Sequence, residues 1–182
     1  MYLQTKKAIL RPWSAADAGS ISRHANNPRI TACMRDAFPH PYTLEDAHRF
    51  IEMAGSTKNL LLAIETGGEA VGGIGIHYLE DVYRGTGEIG YWLSESFRGQ
   101  GIVTDAVRSL VPVVFQETDL IRIHAGIFAN NPASMRVLEK SGFLREAIHK
   151  NAITKNGVVM DEIVYTILKK DAGDQTGKTR LP

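Results

Sequence analysis

The sequence predicts a single domain of the α/β or α+β class, in which one mixed β-sheet is flanked by helices. Runs of apolar residues typical of strands alternate along the chain with segments that begin with helix-capping residues. The chain has 182 residues, enough for one domain with a substantial core. We expect residues 1–170 to form this domain and the polar, glycine-bearing residues 171–182 to form a disordered tail.

The first half of the chain predicts an edge strand, two helices and a hairpin. Pro12 places the first strand at an edge, because proline cannot donate a hydrogen bond within a sheet. Ser14 and Thr43 are N-cap residues, and each predicts a helix that begins directly after it. The predicted elements are strand 8–13, helix 14–26, helix 43–54, and strands 59–65 and 69–79, which a turn at 66–68 joins.

The second half alternates strands and helices and closes with a hairpin. Gly142 is in the position expected of a helix C-terminus, and Asn156-Gly157 is a strong hairpin-turn dipeptide. The predicted elements are strand 87–94, helix 102–117, strand 120–128, helix 133–141, and strands 143–152 and 158–169. The glycine cluster at 72–75 lies inside an apolar strand, which predicts a bulged or closely packed strand.

Composition excludes several classes of partner. The net charge is +1 and the charges are scattered, so neither nucleic acid nor a membrane surface is an expected partner. No apolar run approaches the length of a membrane span. The single cysteine, Cys33, cannot form an internal disulfide, which suits a cytoplasmic location. The six histidines are not paired at metal-ligand spacing, so we expect no metal site.

Residues 97–106 predict a phosphate-binding loop. A strand ends at Leu93, a loop with Gly99 and Gly101 follows, and a helix then begins. Glycines allow close approach of the backbone, and the first amides of a helix are free to bind an anion. The loop lacks the Lys-Ser or Lys-Thr of a Walker motif and the third glycine of a dinucleotide fingerprint.

The loop resembles that of the GNAT superfamily of N-acetyltransferases, whose Q/R-x-x-G-x-G/A motif binds the pyrophosphate of acetyl-CoA. Arg98 and Gly101 fill the first two positions, and Val103 departs from the usual Gly or Ala of the third. Together with residues 88–93, 131–134 and 137–143, it is similar to the branch of ribosomal-protein N-terminal (alanine/serine) acetyltransferases. This resemblance implies a seven-stranded, mostly antiparallel sheet that is splayed where acetyl-CoA binds.

The resemblance also implies which residues bind acetyl-CoA. The backbone amides of the loop and of Leu93 are the main candidates, since they depend on main-chain geometry. Asn131 would contact the pantetheine arm, cap the next helix, or do both, and Arg98 would reach a phosphate or lie on the surface. The full set is Leu93, Arg98, Gly99, Gln100, Gly101, Ile102, Val103, Thr104 and Asn131.

Acetyl transfer to an amine requires a neutral amine, a base, an oxyanion donor and, less strictly, an acid for the thiolate. Glu88 is the first candidate base, with a solvated strand-end glutamate as the alternative, and His77 is a second candidate base. Ser134 is the candidate acid or donor to sulfur, with a simple first-turn serine as the alternative. Cys33 has no predicted partner that would make it a nucleophile.

The leading functional hypothesis is therefore transfer of acetyl from acetyl-CoA to a primary amine, above all a protein N-terminus. Two alternatives stay open: a small-molecule acceptor such as a polyamine, amino acid or antibiotic, and a non-catalytic acyl-CoA-binding module. The resemblance to this family also implies a homodimer. The candidate lining residues of the acceptor pocket are Phe38, Tyr42, Tyr78, Tyr83 and Trp92.

Overall fold

Eight strands form one sheet in the computed structural model, which describes residues 1–172. The strands are β1 Leu3–Gln4, β2 Ile9–Pro12, β3 Leu60–Thr66, β4 Glu69–Tyr78, β5 Thr86–Leu93, β6 Arg122–Phe128, β7 Leu144–Lys155 and β8 Val158–Leu168. Their order across the sheet is β1-β2-β3-β4-β5-β6-β8-β7. The seven expected strands are present, and β1 is an addition too short to give a recognisable pattern.

The helices are α1 Ala18–Ala25, α2 Pro28–Thr31, α3 Leu44–Ser56, α4 Ile102–Glu117, α5 Pro132–Lys140 and α6 Lys169–Ala172. Helix α3 begins directly after its predicted cap, Thr43, whereas Ser14 caps a 3₁₀ turn, Ala15–Asp17, that leads into α1. Ser14 and Thr43 each form a capping box, with Asp17 and Asp46 respectively. The short α2, capped by Asn27, was not predicted. Helix α6 contains the first two residues of the predicted disordered tail, and 173–182 lie outside the described residues.

Helices cover both faces of the sheet and create two apolar clusters. Helices α4 and α5 pack on one face, where Val107, Leu110 and Leu138 are fully buried. Helices α1 and α3 cover the other face, where Ile21 and Ala47 are fully buried. The α/β class with a flanked mixed sheet is thus confirmed. Among the helices of residues 1–172, none has the length and apolarity needed to cross a bilayer.

The glycine cluster of β4 is explained by close packing. A Cβ at Gly72 would lie 2.4 Å from the Trp92 carbonyl oxygen, and one at Gly75 would lie 2.7 Å from the Leu60 carbonyl oxygen. The register between β3 and β4 also shifts beside Ile64, which marks a bulge. The sequence-based prediction of a bulged, closely packed strand is therefore confirmed.

The sheet splays at the parallel pair β5–β6, as the resemblance implied. The two strands are in register from Thr86↔Arg122 to Glu88↔His124, and that is where their pairing ends. Strand β5 then continues along β4 to Leu93, while β6 continues along β8 to Phe128. The opening between them exposes one edge of β5 directly before the glycine loop and α4.

Candidate active site

The glycine loop and the start of α4 form an anion-binding cradle. Gly99 and Gly101 have φ values of 78° and 74°, in the left-handed region that glycine adopts without strain. Gly101 is the N-cap of α4, and the first amide with a partner in this turn is that of Asp105, which donates to the Gly101 carbonyl at 3.0 Å. The amides of Ile102, Val103 and Thr104 therefore carry the positive end of the helix dipole. This geometry fits a pyrophosphate.

The departure at Val103 leaves the cradle open. Its side chain is 9% exposed and packs in the core against the sheet. The extra methyl groups, relative to Gly or Ala, are accommodated inside the protein rather than in the loop. Arg98, by contrast, is exposed and lies before the loop with an extended backbone.

Sequence reasoning missed Lys7, which lies beneath the loop. Its ammonium donates to the Gln100 carbonyl, and its backbone N–H donates to the Asp105 carboxylate at 2.9 Å. A Cβ at Gly101 would lie 3.1 Å from the Lys7 Nζ. Lys7 thus ties the chain before β2 to the loop and adds a positive charge there. Nothing near Lys7 in the sequence indicates this, because the two segments are 93 residues apart.

The Leu93 amide points into the splay. The N–H of the next residue, Ser94, donates to the Val71 carbonyl on the β4 side at 2.8 Å. Successive N–H groups of a strand point to opposite sides. The Leu93 N–H is therefore directed to the side from which β6 has diverged, where it is suited to bind an oxyanion.

Tyr91 joins β5 to the first turn of α5 across this opening. Its hydroxyl lies 2.8 Å from the Ser134 Oγ and donates to the Ser134 carbonyl at 3.2 Å. Ser134 is 8% exposed, and burial raises the pKa of Tyr91 well above its ordinary value. The Tyr91 hydroxyl is therefore protonated at neutral pH, and a hydrogen bond joins the two hydroxyls. Sequence reasoning singled out Ser134 but not Tyr91.

Asn131 caps α5, with Pro132 in the first helical position. Its Oδ1 accepts from the Ser134 N–H at 3.2 Å. The predicted cap is present, and it uses the oxygen of the side-chain amide. The NH₂ group is left available for a ligand, so a contact with the pantetheine arm stays a prediction.

Glu88 lies inside β5 and not at its end. Its side chain is 23% exposed and is ion-paired with Arg35, from the loop between α2 and α3. It faces His77 across β4–β5 and His124 across β5–β6. The alternative of a solvated strand-end glutamate does not describe this environment. A carboxylate and an imidazole, both candidate bases, thus come from neighbouring strands.

Glu88 and Ser134 lie on opposite faces of the sheet. Ile89 and Leu93, which alternate with Glu88 along β5, pack in the core beneath α4, and Tyr91 on that face contacts Ser134. Gly90 and Trp92 share the Glu88 face and line a cavity of about 410 Å³. The candidate base and the candidate acid thus come from opposite faces of the sheet.

Aromatic residues from several elements contribute to the cavity wall. They are Trp13, Phe38, Tyr42, Phe50 and Trp92. Of the five residues predicted to line an acceptor pocket, three do so. Tyr78 instead packs against the core beneath α4, and Tyr83 is 66% exposed.

Cys33 does not have the environment of a nucleophile. Burial raises the pKa of its thiol, which is therefore protonated at neutral pH. Within residues 1–172, no three His, Cys, Asp or Glu side chains come together in an arrangement that would hold a metal ion.

His124 makes the stability of this region sensitive to pH. Burial lowers the pKa of His124 below its ordinary 6.5, although nearby Glu88 opposes the shift, and the Nδ1 has no partner among the described residues. The unfolded chain thus binds more protons, so the free energy of unfolding should fall as pH drops below about 6.5. We expect His124→Gln to reduce this loss of stability. The reduction should be at most about 1.4 kcal/mol for each unit by which folding lowers the pKa of His124.

Urea denaturation at pH 7.5 and pH 5.5 measures this effect. The control is His48→Gln, which replaces an exposed histidine of α3. The control should lose as much stability on acidification as the wild type. Equal losses in His124→Gln and the wild type would contradict the assignment.

Comparison with known proteins agrees with this geometry. The family model described as acetyltransferase (GNAT) domain matches residues 7–144. The probable N-acetyltransferase YjcK of Bacillus subtilis is 45% identical over 101 residues, which cover 54% of this chain and 56% of that protein. The putative ribosomal N-acetyltransferase YdaF of Bacillus subtilis is 36% identical over 104 residues, 57% of this chain and 56% of that protein. These matches thus span little more than half the length of either relative.

A solved structure extends the similarity to nearly the whole chain. RimJ of Mycobacterium smegmatis, in complex with CoA-disulfide, superposes with a TM-score of 0.83 and 23% identity. The superposition covers 93% of this chain and 88% of that one. At this identity the similarity establishes the fold.

Proposed function

The chain belongs to the GNAT family of N-acetyltransferases, and we propose that it transfers an acetyl group from acetyl-CoA to the amino group at a protein N-terminus. The observation that carries the proposal is the placement of the Leu93 amide, the glycine cradle and the Tyr91–Ser134 pair around one opening in the sheet. The name of the relative YdaF, a putative ribosomal N-acetyltransferase, supports a protein acceptor.

The proposed roles follow from the positions of the groups. The cradle from Gly99 to Thr104 binds the pyrophosphate, and the Leu93 N–H binds the thioester oxygen. The amine lone pair attacks the carbonyl carbon, the C–N bond forms and the C–S bond breaks. Glu88 accepts the proton of the amine, and the Ser134 hydroxyl, hydrogen-bonded to Tyr91, donates a hydrogen bond to the leaving thiolate, which takes its proton from solvent.

Calorimetric titration with acetyl-CoA, with ATP and NAD as controls, tests the first step. We expect selective micromolar binding of acetyl-CoA, followed by thiol release when a peptide with a free N-terminus is added. A matched peptide with a blocked N-terminus should give no release. Binding without transfer to any amine would favour the non-catalytic module, and lack of binding by the folded protein would overturn the whole proposal.

A small-molecule acceptor is the second candidate, because the cavity of about 410 Å³ has the size of a small-ligand pocket. Release of thiol with free amines but not with peptides would establish it. The cytoplasmic location and the homodimer stay predictions from the sequence.

A further inference from the structure

We infer that the acceptor amine carries a bulky apolar group, and that this group occupies the aromatic cavity above Gly90. The inference rests on the proposed acetyl transfer and specifies its substrate class. Two kinds of amine carry such a group: a peptide whose first residue is large and apolar, and a small arylalkylamine.

Gly90 is a glycine for which the fold gives no reason. The neighbouring glycines are required by packing, since a Cβ would lie 2.8 Å from the Trp92 side chain at Gly73 and 2.7 Å from the Ile76 side chain at Gly87. A Cβ at Gly90 would have no atom within 4 Å, and its φ is not in the left-handed region. Glycine within a strand destabilises the strand. A larger residue at position 90 would therefore stabilise β5 without a steric clash.

The space above Gly90 is part of the cavity. Gly90 lies opposite Gly75 in the β4–β5 register, and both line the cavity floor. The Leu61 side chain covers Gly75, where a Cβ would lie 2.6 Å from it, so the open space is above Gly90 alone. We therefore attribute the glycine at position 90 to the room that a ligand needs.

The walls of the cavity suit an apolar group. Trp92, Phe38 and Tyr42 form a chain of ring contacts, with centroid distances of 6.0 and 5.1 Å. Trp13 and Phe50 form a second pair at 5.3 Å. Met34 and Met53 add flexible side chains to the lining. Such walls favour aromatic or large aliphatic groups.

The charged side chains in the lining are already paired with each other. They are Asp46 and Arg49, which form an ion pair. The Asp46 carboxylate also accepts from the Thr43 N–H at 2.8 Å and from its hydroxyl at 2.6 Å, as the cap of α3. No unpaired carboxylate among the described lining residues is available for a second ammonium group, which argues against a polyamine.

The position of the cavity places the amine near the proposed chemistry. Gly90 is two residues from Glu88 and three from Leu93 along β5, or about 7 and 10 Å. His77, opposite Glu88, is itself in the cavity lining. When an apolar group occupies the space above Gly90, the amino group attached to it lies near a candidate base. The splay, where the thioester is proposed to bind, begins on the same strand.

Steady-state thiol release with four acceptors tests the inference: Phe-Ala-Ala amide, Ala-Ala-Ala amide, phenethylamine and spermidine. For the wild type we expect kcat/KM to be at least about tenfold higher for the best phenyl-bearing acceptor than for Ala-Ala-Ala amide or spermidine. Preference for Phe-Ala-Ala amide over phenethylamine would identify a peptide, and the reverse a small amine. No preference for a phenyl group would overturn the inference.

The variant Gly90→Leu fills the cavity floor. We expect it to raise KM for the preferred acceptor about tenfold or more, with the acetyl-CoA Kd and the melting temperature maintained. Gly90→Ala should give a smaller rise. The matched control Gly19→Leu replaces a glycine of α1 that also has no neighbour within 4 Å but lies outside the cavity lining, and its KM should not change. An unchanged KM in Gly90→Leu would overturn the inference.

Fluorescence separates this inference from the proposed function. Trp13 and Trp92 line the cavity, so phenethylamine bound there should alter their emission even without turnover. If no amine is acetylated, the proposed function fails, and binding of phenethylamine to the wild type but not to Gly90→Leu would still support the apolar site. Absence of binding together with absence of transfer would overturn both.

Discussion

Replacing Gly101 with glutamate should remove detectable binding of acetyl-CoA, with the fold retained. The φ of Gly101 is 74°, a conformation that costs about 1–2 kcal/mol for a residue with a Cβ. The new carboxylate would also lie beside the helix amides proposed to bind the pyrophosphate. Its negative charge would repel the negative charge of the pyrophosphate. Since about 1.4 kcal/mol is a tenfold change in affinity, strain and repulsion together should weaken binding at least about a hundredfold.

Two comparison variants divide this effect into its parts. Gly101→Ala introduces the strained backbone and the 3.1 Å contact with the Lys7 Nζ but no charge, and we expect only about a tenfold loss of affinity. Gly157→Glu adds the same charge at a φ of 76° in the β7–β8 turn, at the far edge of the sheet, and should leave affinity unchanged. Calorimetry provides the three affinities, and circular dichroism checks folding. Tight binding by a folded Gly101→Glu protein would show that the pyrophosphate lies elsewhere.

Local features of this fold could be predicted because a few neighbouring residues determine them. Thr43 begins α3 through a bond to the backbone three residues ahead. The turn at Asn156-Gly157 has φ values of 50° and 76°, the conformation that this dipeptide favours. Gly99 and Gly101 adopt positive φ in a loop that the sequence alone identified as a candidate phosphate site.

The contacts within the candidate site could not be predicted in the same way. Tyr91 and Ser134 are 43 residues apart, and Arg35 and Glu88 are 53 apart. Each pair depends on how the sheet twists and how the helices pack on it, which no local pattern describes. The splay itself was supplied by resemblance, and the alternation along β5 then assigns Glu88 and Tyr91 to opposite faces.

Replacing Glu88 with glutamine should lower kcat about a hundredfold or more and flatten the acid limb of the pH–rate profile. Glutamine has nearly the same shape but cannot accept the proton of the amine, and general base catalysis contributes about 10²–10⁴-fold. Acetyl-CoA affinity should be unchanged, because the cradle lies beyond the other end of β5. Stopped-flow and steady-state thiol release across pH 5–9 measure the effect.

Three further variants test the role of Glu88. They change a matched carboxylate, the second candidate base His77, and Arg35, which is ion-paired with Glu88. Glu65→Gln changes a carboxylate of similar exposure, 17%, that is also paired with an arginine but lies on β3, and it should leave kcat unchanged. If Glu88→Gln keeps the wild-type profile and His77→Gln loses the acid limb, then the base is the imidazole across the strand pair. Arg35→Gln frees the Glu88 carboxylate from its ion pair. A rise in activity of this variant that Glu88→Gln abolishes would show that Arg35 competes with the amine for the same carboxylate.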